Sequence, residues 1–139
     1  MSHPPRRRHA PALFAVAALF LGACSADTTT TLPLPAGPTG GWLTVQLTTP
    51  NNNDGAVQFS VSGPRIDSVK LVTYDGFETH TTTQADLVAT GTVVSGNLAR
   101  IYVPDLTLTT QYQASVSAAA TRDSYVLQSL DGYRAVLVR

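Results

Sequence analysis

The chain has 139 residues, nine basic and nine acidic, and a single cysteine. A form cut after residue 23 loses Arg6, Arg7 and Arg8, which leaves six basic against nine acidic residues, a net charge of −3. A mildly acidic body with one lysine has no electrostatic footprint for nucleic acid or anionic lipid, which argues against both as partners.

The first element in chain order is a leader. Arg6–Arg8 precede an apolar run from Leu13 to Leu21 (LFAVAALFL) that ends in small residues, the layout of a secretory signal peptide over residues 1–23. The run is too short to span a bilayer, which takes ~20 residues at ~1.5 Å each against a ~30 Å core. Apolar residues do not follow the three arginines directly, which favours general secretion over a twin-arginine route. Leu21-Gly22-Ala23-Cys24 resembles the lipobox of bacterial lipoproteins. That resemblance implies a diacylglyceryl thioether on Cys24, cleavage before it, and acylation of the new N-terminus. It also implies, from Ser25 in place of Asp, onward sorting to an outer membrane where the cell has one. An unpaired thiol outside the cytoplasm is a liability, and two or three acyl chains hold a protein where one binds only marginally.

Residues 24–40 carry the cysteine and a Thr-, Pro- and Gly-rich stretch (SADTTTTLPLPAGPTG). It has little to bury against its ordering entropy and reads as a semi-extended tether. From Gly41 onward the apolar period is two. Leu43, Val45 and Leu47 share one strand face, as do Val57, Phe59 and Val61 after the turn-rich PNNNDG. SVKLVTY and FETHTTT flank Asp75-Gly76, a strong hairpin signal. LVATGTVV and LARIYV flank Ser95-Gly96-Asn97 and read as a further strand pair. In QYQASVSAAA the inward set is Tyr112, Ala114, Val116 and Ala118. Asp123 to Leu130 is expected to hold a short helical turn capped by Asp123, and YRAVLV closes the chain. Many short strands without a helical period predict an all-β fold, an antiparallel β-sandwich over residues 41–139.

Leu106-Thr107-Leu108-Thr109-Thr110-Gln111-Tyr112 resembles the turn into the sixth strand of fibronectin type III domains. That resemblance implies a corner built on Leu106, Thr110 and Tyr112, the tyrosine hydroxyl tying back to the backbone. Cohesin-like and carbohydrate-binding sandwiches suit the same strand count, so the expected class is immunoglobulin-like or a related sandwich.

Chemistry is sparse. After leader removal the one histidine is His80, on a Thr-rich strand, where a solvent-facing residue is the plainer reading than a catalytic base. Lys70 alternates with Val69 and Leu71 and points outward. One cysteine and one histidine do not make a zinc site. Asn51–Gly55 lacks the spaced acids of a calcium loop and reads as a turn. Paired carboxylates can mean glycoside hydrolysis, but Asp75 and Glu78 lie across the expected hairpin, where acids at strand ends more plainly serve solubility. Trp42, Tyr74, Phe77, Tyr102, Tyr125 and Tyr133 are candidates for a flat sugar-stacking platform, scattered packing being the plainer fate. The expectation is a lipid-anchored cell-envelope protein without a cofactor. Its sandwich binds or scaffolds an envelope protein or a glycan; a small hydrolase is the remoter alternative. Thr79–Thr83 is a candidate exposed edge for assembly.

Overall fold

The computed structural model describes residues 36–139. The expected signal peptide, Cys24 and the tether as far as residue 35 lie outside the described residues. Leu43, Val45 and Leu47 are shut away from solvent in β1 (Gly41–Thr48), while Trp42, Thr44 and Gln46 alternate to the outer side. The same period buries Val57, Phe59 and Val61 in β2 (Asp54–Ser62) and Ala85, Leu87 and Ala89 in β5 (Gln84–Val93). It does so again for Ala99, Ile101 and Val103 in β6 (Gly96–Val103). Each strand therefore offers one apolar face, and two sheets bury those faces against each other. The remaining strands are β3 (Ser68–Leu71), β4 (Asp75–His80), β7 (Gln113–Thr121) and β8 (Arg134–Val138).

One sheet runs β3-β6-β1-β8 and the other β4-β5-β2-β7, with every pairing antiparallel. The described residues form an all-β antiparallel sandwich. Strands β2 to β6 pair with one another as the second to sixth strands of an immunoglobulin sandwich do. The flanking strands trade places: β1 lies beside β6, β7 lies beside β2, and β8 adds an edge next to β1.

The expected strand pairs need correction. β1 and β2, β3 and β4, and β5 and β6 are consecutive in sequence, yet each pair is divided between the sheets. Asp75-Gly76 is not a turn but the start of β4, paired with Thr90 and Ala89 of β5. A Cβ on Gly76 would stand 1.8 Å from the Val88 carbonyl oxygen, so glycine is there for close backbone approach. Turn chemistry is local, whereas ladder pairing with β6 and β5 is set by the whole sheet, and pairing prevails. Among the described residues the one hairpin between sequential strands is β4–β5. Thr81 closes it, donating its N–H to the Gln84 carbonyl at 2.7 Å and accepting the Gln84 N–H at its hydroxyl at 3.1 Å. Of the expected edge, Thr79 and His80 lie in β4, an exposed edge strand, and Thr81–Thr83 make its turn.

Two bulges redirect side chains. Ser117 is skipped between the pairs Phe59–Val116 and Gln58–Ala118. The inward set of β7 thus passes to Ala119, opposite Val57, and Ala118 turns outward, contrary to strict alternation. Gly55 is the extra residue between Asp54–Thr121 and Ala56–Ala120, and it turns Asp54 inward. The expected helical turn over 123–130 is absent. Those residues run back along the β7 edge, Gln128 donating its N–H to the Ala119 carbonyl at 2.9 Å and Leu127 bridging Ala120. Satisfying open edge groups outweighs a weak helix start. A 3₁₀ helix instead forms at Leu106–Gln111, capped by Asp105, whose carboxylate accepts the Thr107 N–H at 2.8 Å.

A Cβ on Gly55 would lie 2.3 Å from the Arg122 Cα, backbone that cannot swing aside. Gly55→Ala is expected to lower unfolding free energy by about 2 kcal/mol, the scale of overpacking a closed site. Gly37→Ala, in open space, leaves it unchanged. Urea titration of the two variants checks this.

Candidate functional site

Tyr112 is buried, and its hydroxyl donates to the Arg65 carbonyl at 2.5 Å. Its ring lies against Gly63, where a Cβ would fall 2.1 Å from the ring. The tie runs to the β2–β3 link, not a few residues upstream, and the tyrosine leads into the seventh strand. Burial raises the Tyr112 hydroxyl above its ordinary pKa, the Arg65 hydrogen bond opposing the shift. Leu106 is half-buried against Gly41, donates its N–H to the Thr39 carbonyl at 2.9 Å, and accepts the Arg139 guanidinium at its own carbonyl. It thereby clamps both ends of the described chain. Thr110 is exposed at the end of the 3₁₀ helix. Cys24 lies outside the described residues.

The residues weighed for chemistry are not brought together. His80 and Lys70 are exposed on edge strands of different sheets. Asp75 and Glu78, three apart on β4, face opposite sides. The Glu78 carboxylate accepts the Leu71 N–H at 3.0 Å, bridging the β3 and β4 edges. Among the described residues, no three His, Cys, Asp or Glu side chains gather as a metal site.

Asn51–Gly55 has a structural use that the sequence did not reveal. Asp54 is the one fully buried charged side chain among the described residues. It accepts three hydrogen bonds at 2.6 Å, from the Thr49 hydroxyl, the Gln128 amide and the Tyr133 hydroxyl. The Asn51 amide donates to Gln128 Oε1 and to the Tyr133 oxygen, both at 2.9 Å. No buried side-chain polar atom among the described residues lacks a partner. The cluster pins the β7–β8 link over the β1–β2 link and closes that end of the sandwich.

The aromatic candidates scatter, with one exception. Tyr133 belongs to the Asp54 cluster. Tyr74 is half-buried, its hydroxyl hydrogen-bonded to the Val94 backbone. Phe77 and Tyr125, each 65% exposed, lie on β4 and on the β7–β8 link. Trp42 and Tyr102 do meet, on the outer face of the β3-β6-β1-β8 sheet, with ring centroids 5.4 Å apart at 73°. The Arg100 guanidinium lies 5.3 Å over the Trp42 ring. Lys70 stands directly opposite Arg100 across the β3–β6 ladder.

Charge is divided by sheet. The strands β3, β6, β1 and β8 carry Lys70, Arg100 and Arg134 and no acid. The strands β4, β5, β2 and β7 carry Asp75, Glu78, Asp86 and Asp54 and no lysine or arginine. At one flank the seam between β7 and β8 is open, lined by half-buried Ala114, Val116, Ala135 and Leu137, with shallow hollows of about 410 and 530 Å³. Comparison with family models, with curated proteins and with solved structures finds no match.

Asp54→Ala strands three donors in a closed site and is expected to destabilise by about 3 kcal/mol. Burial first, and the Asp54 carboxylate second, raise the Tyr133 hydroxyl above its ordinary 10.0. The unfolded chain therefore loses this proton first as pH rises. The contribution of Tyr133 is whole below pH 10 and falls away through the raised folded value. Urea midpoints measured from pH 8 to 11 are expected to drop above pH 10, less steeply in Tyr133→Phe.

Proposed function

We propose that the chain is a lipid-anchored protein of the bacterial cell envelope, whose sandwich is a non-enzymatic binding module. The partner is a component of the envelope, a glycan or a protein. Anchoring is supported by the leader and by the Leu21–Cys24 pattern, with residues 24–40 as the leash to the sandwich. The observation that carries the binding reading is the outer face of the β3-β6-β1-β8 sheet. Among the described residues its four strands carry every strand-borne lysine and arginine and the one close aromatic pair, and none of the four contains an acid. Exposed aromatic and cationic groups held on rigid strands are the material of a recognition surface. The hydrolase alternative needs a base poised beside a hydroxyl or an acid; His80 stands exposed at the end of an edge strand.

Anchoring is tested by metabolic labelling with an alkyne palmitate and mass spectrometry of the native product. The expected product begins at Cys24, carries the label and sediments with membranes, and Cys24→Ala loses the label. A product that keeps residues 1–23, or an unmodified Cys24 thiol, defeats the reading.

A further inference from the structure

We infer that the β3-β6-β1-β8 face binds an acidic polysaccharide, a chain of sugar rings bearing carboxylates; this rests on the binding-module reading and names its ligand class. Like charges directly opposite on neighbouring strands repel, and Lys70 and Arg100 are held in that register. Their strands, and the two beside them, supply no acid to relieve it. The pair concentrates positive potential at one spot of a domain with a net negative charge. The same spot is ordered for planar anions. Trp42 lies under the Arg100 guanidinium, and a stacked guanidinium presents its fork of donors pre-set for bidentate contact with a carboxylate.

The surroundings favour sugar over peptide. Trp42, 37% exposed, and Tyr102 beside it offer apolar ring surface to the C–H face of a sugar. On the other side of the cations, Gln46 Nε2 donates to Asn97 Oδ1 at 3.0 Å. That bond leaves the Gln46 oxygen and both Asn97 amide hydrogens to read hydroxyls. Successive outward positions along a strand are ~7 Å apart. An extended glycan laid along β1 and β6 therefore meets aromatic rings, then cations, then amides. Peptides are captured at free strand edges or in grooves. β6 and β1 are interior strands with both ladders occupied. The opposite sheet carries only acids on its strands, so an acidic chain is turned away from it.

The test uses the full-length protein in detergent, in affinity electrophoresis through polygalacturonate, through neutral dextran and through poly-glutamate. Retardation is expected in polygalacturonate alone, weakening with added salt. Arg100→Gln and Trp42→Ala should each raise the apparent Kd at least about ten-fold, as expected for losing a charge-assisted hydrogen bond or a stacked ring. Arg65→Gln, whose arginine lies outside these four strands and pairs with Asp67, controls for net charge and leaves binding unchanged. Unchanged melting temperatures certify the variants. Equal retardation by dextran, insensitive to Arg100→Gln, overturns the acidic class while leaving a glycan-binding module. Retardation by poly-glutamate that survives Trp42→Ala overturns the sugar in favour of an acidic peptide. Retardation by none of the three overturns the inference, and anchoring is then judged separately by the acyl label.

Discussion

Two sheets with no disulfide between them are held face to face chiefly by the side chains that meet in the middle. The chain has one cysteine, so no internal disulfide relieves that burden. Phe59, Leu43, Leu87, Leu98 and Ile101 are fully buried between the sheets, with valines and alanines filling the spaces. Each large side chain contributes roughly 1.5–3 kcal/mol on burial. Everything displayed outside rests on that layer. Leu43 faces in because Trp42 faces out, and Ala99 and Ile101 hold Arg100 in the opposite direction. The inner packing and the outer display of Trp42, Tyr102 and Arg100 are two readings of one alternation.

The ends of the sandwich are managed differently from its middle. At one end a buried carboxylate organises the Thr49–Asp54 link, Gln128 and Tyr133, which hold down a long connection that has no regular structure of its own. At the other end Tyr112 and Leu106 pin the β2–β3 link and both ends of the described chain. The Asp54 cluster and the Tyr112 tie place their side-chain hydrogen bonds in buried or part-buried sites, where an unmet donor is expensive.

The strands were legible in the sequence, because a period of two is written in neighbouring residues. Val57, Phe59 and Val61 needed no partner to reveal their common face. Their pairing was not legible. Asp75-Gly76 carries strong turn chemistry, yet which sheet receives β4 depends on β5, with its Val88 a dozen residues further on. Asp54 was hidden for a similar reason: its inward aim comes from an extra residue at Gly55, measured only against the opposite strand. Gln128 and Tyr133 lie more than seventy residues from it, and nothing local links them. The aromatic and cationic face was half visible. Trp42 and Tyr102 stood among six aromatic candidates, and only the β1–β6 register brings them together and separates Tyr74, Phe77, Tyr125 and Tyr133. Lys70 and Arg100, thirty residues apart, become neighbours only when β3 is laid against β6.

The clamp at Leu106 has a mechanical side. Tension delivered through residues 36–40 enters β1 along its own axis, and β1 is an interior strand with antiparallel partners on both sides. Load applied that way shears two ladders at once instead of peeling one bond at a time, and resistance to force is a matter of how slowly that concerted rupture occurs. Placing this strand in the middle of a sheet thus gives a domain pulled through residues 36–40 a grip that an edge strand in the same position would lack.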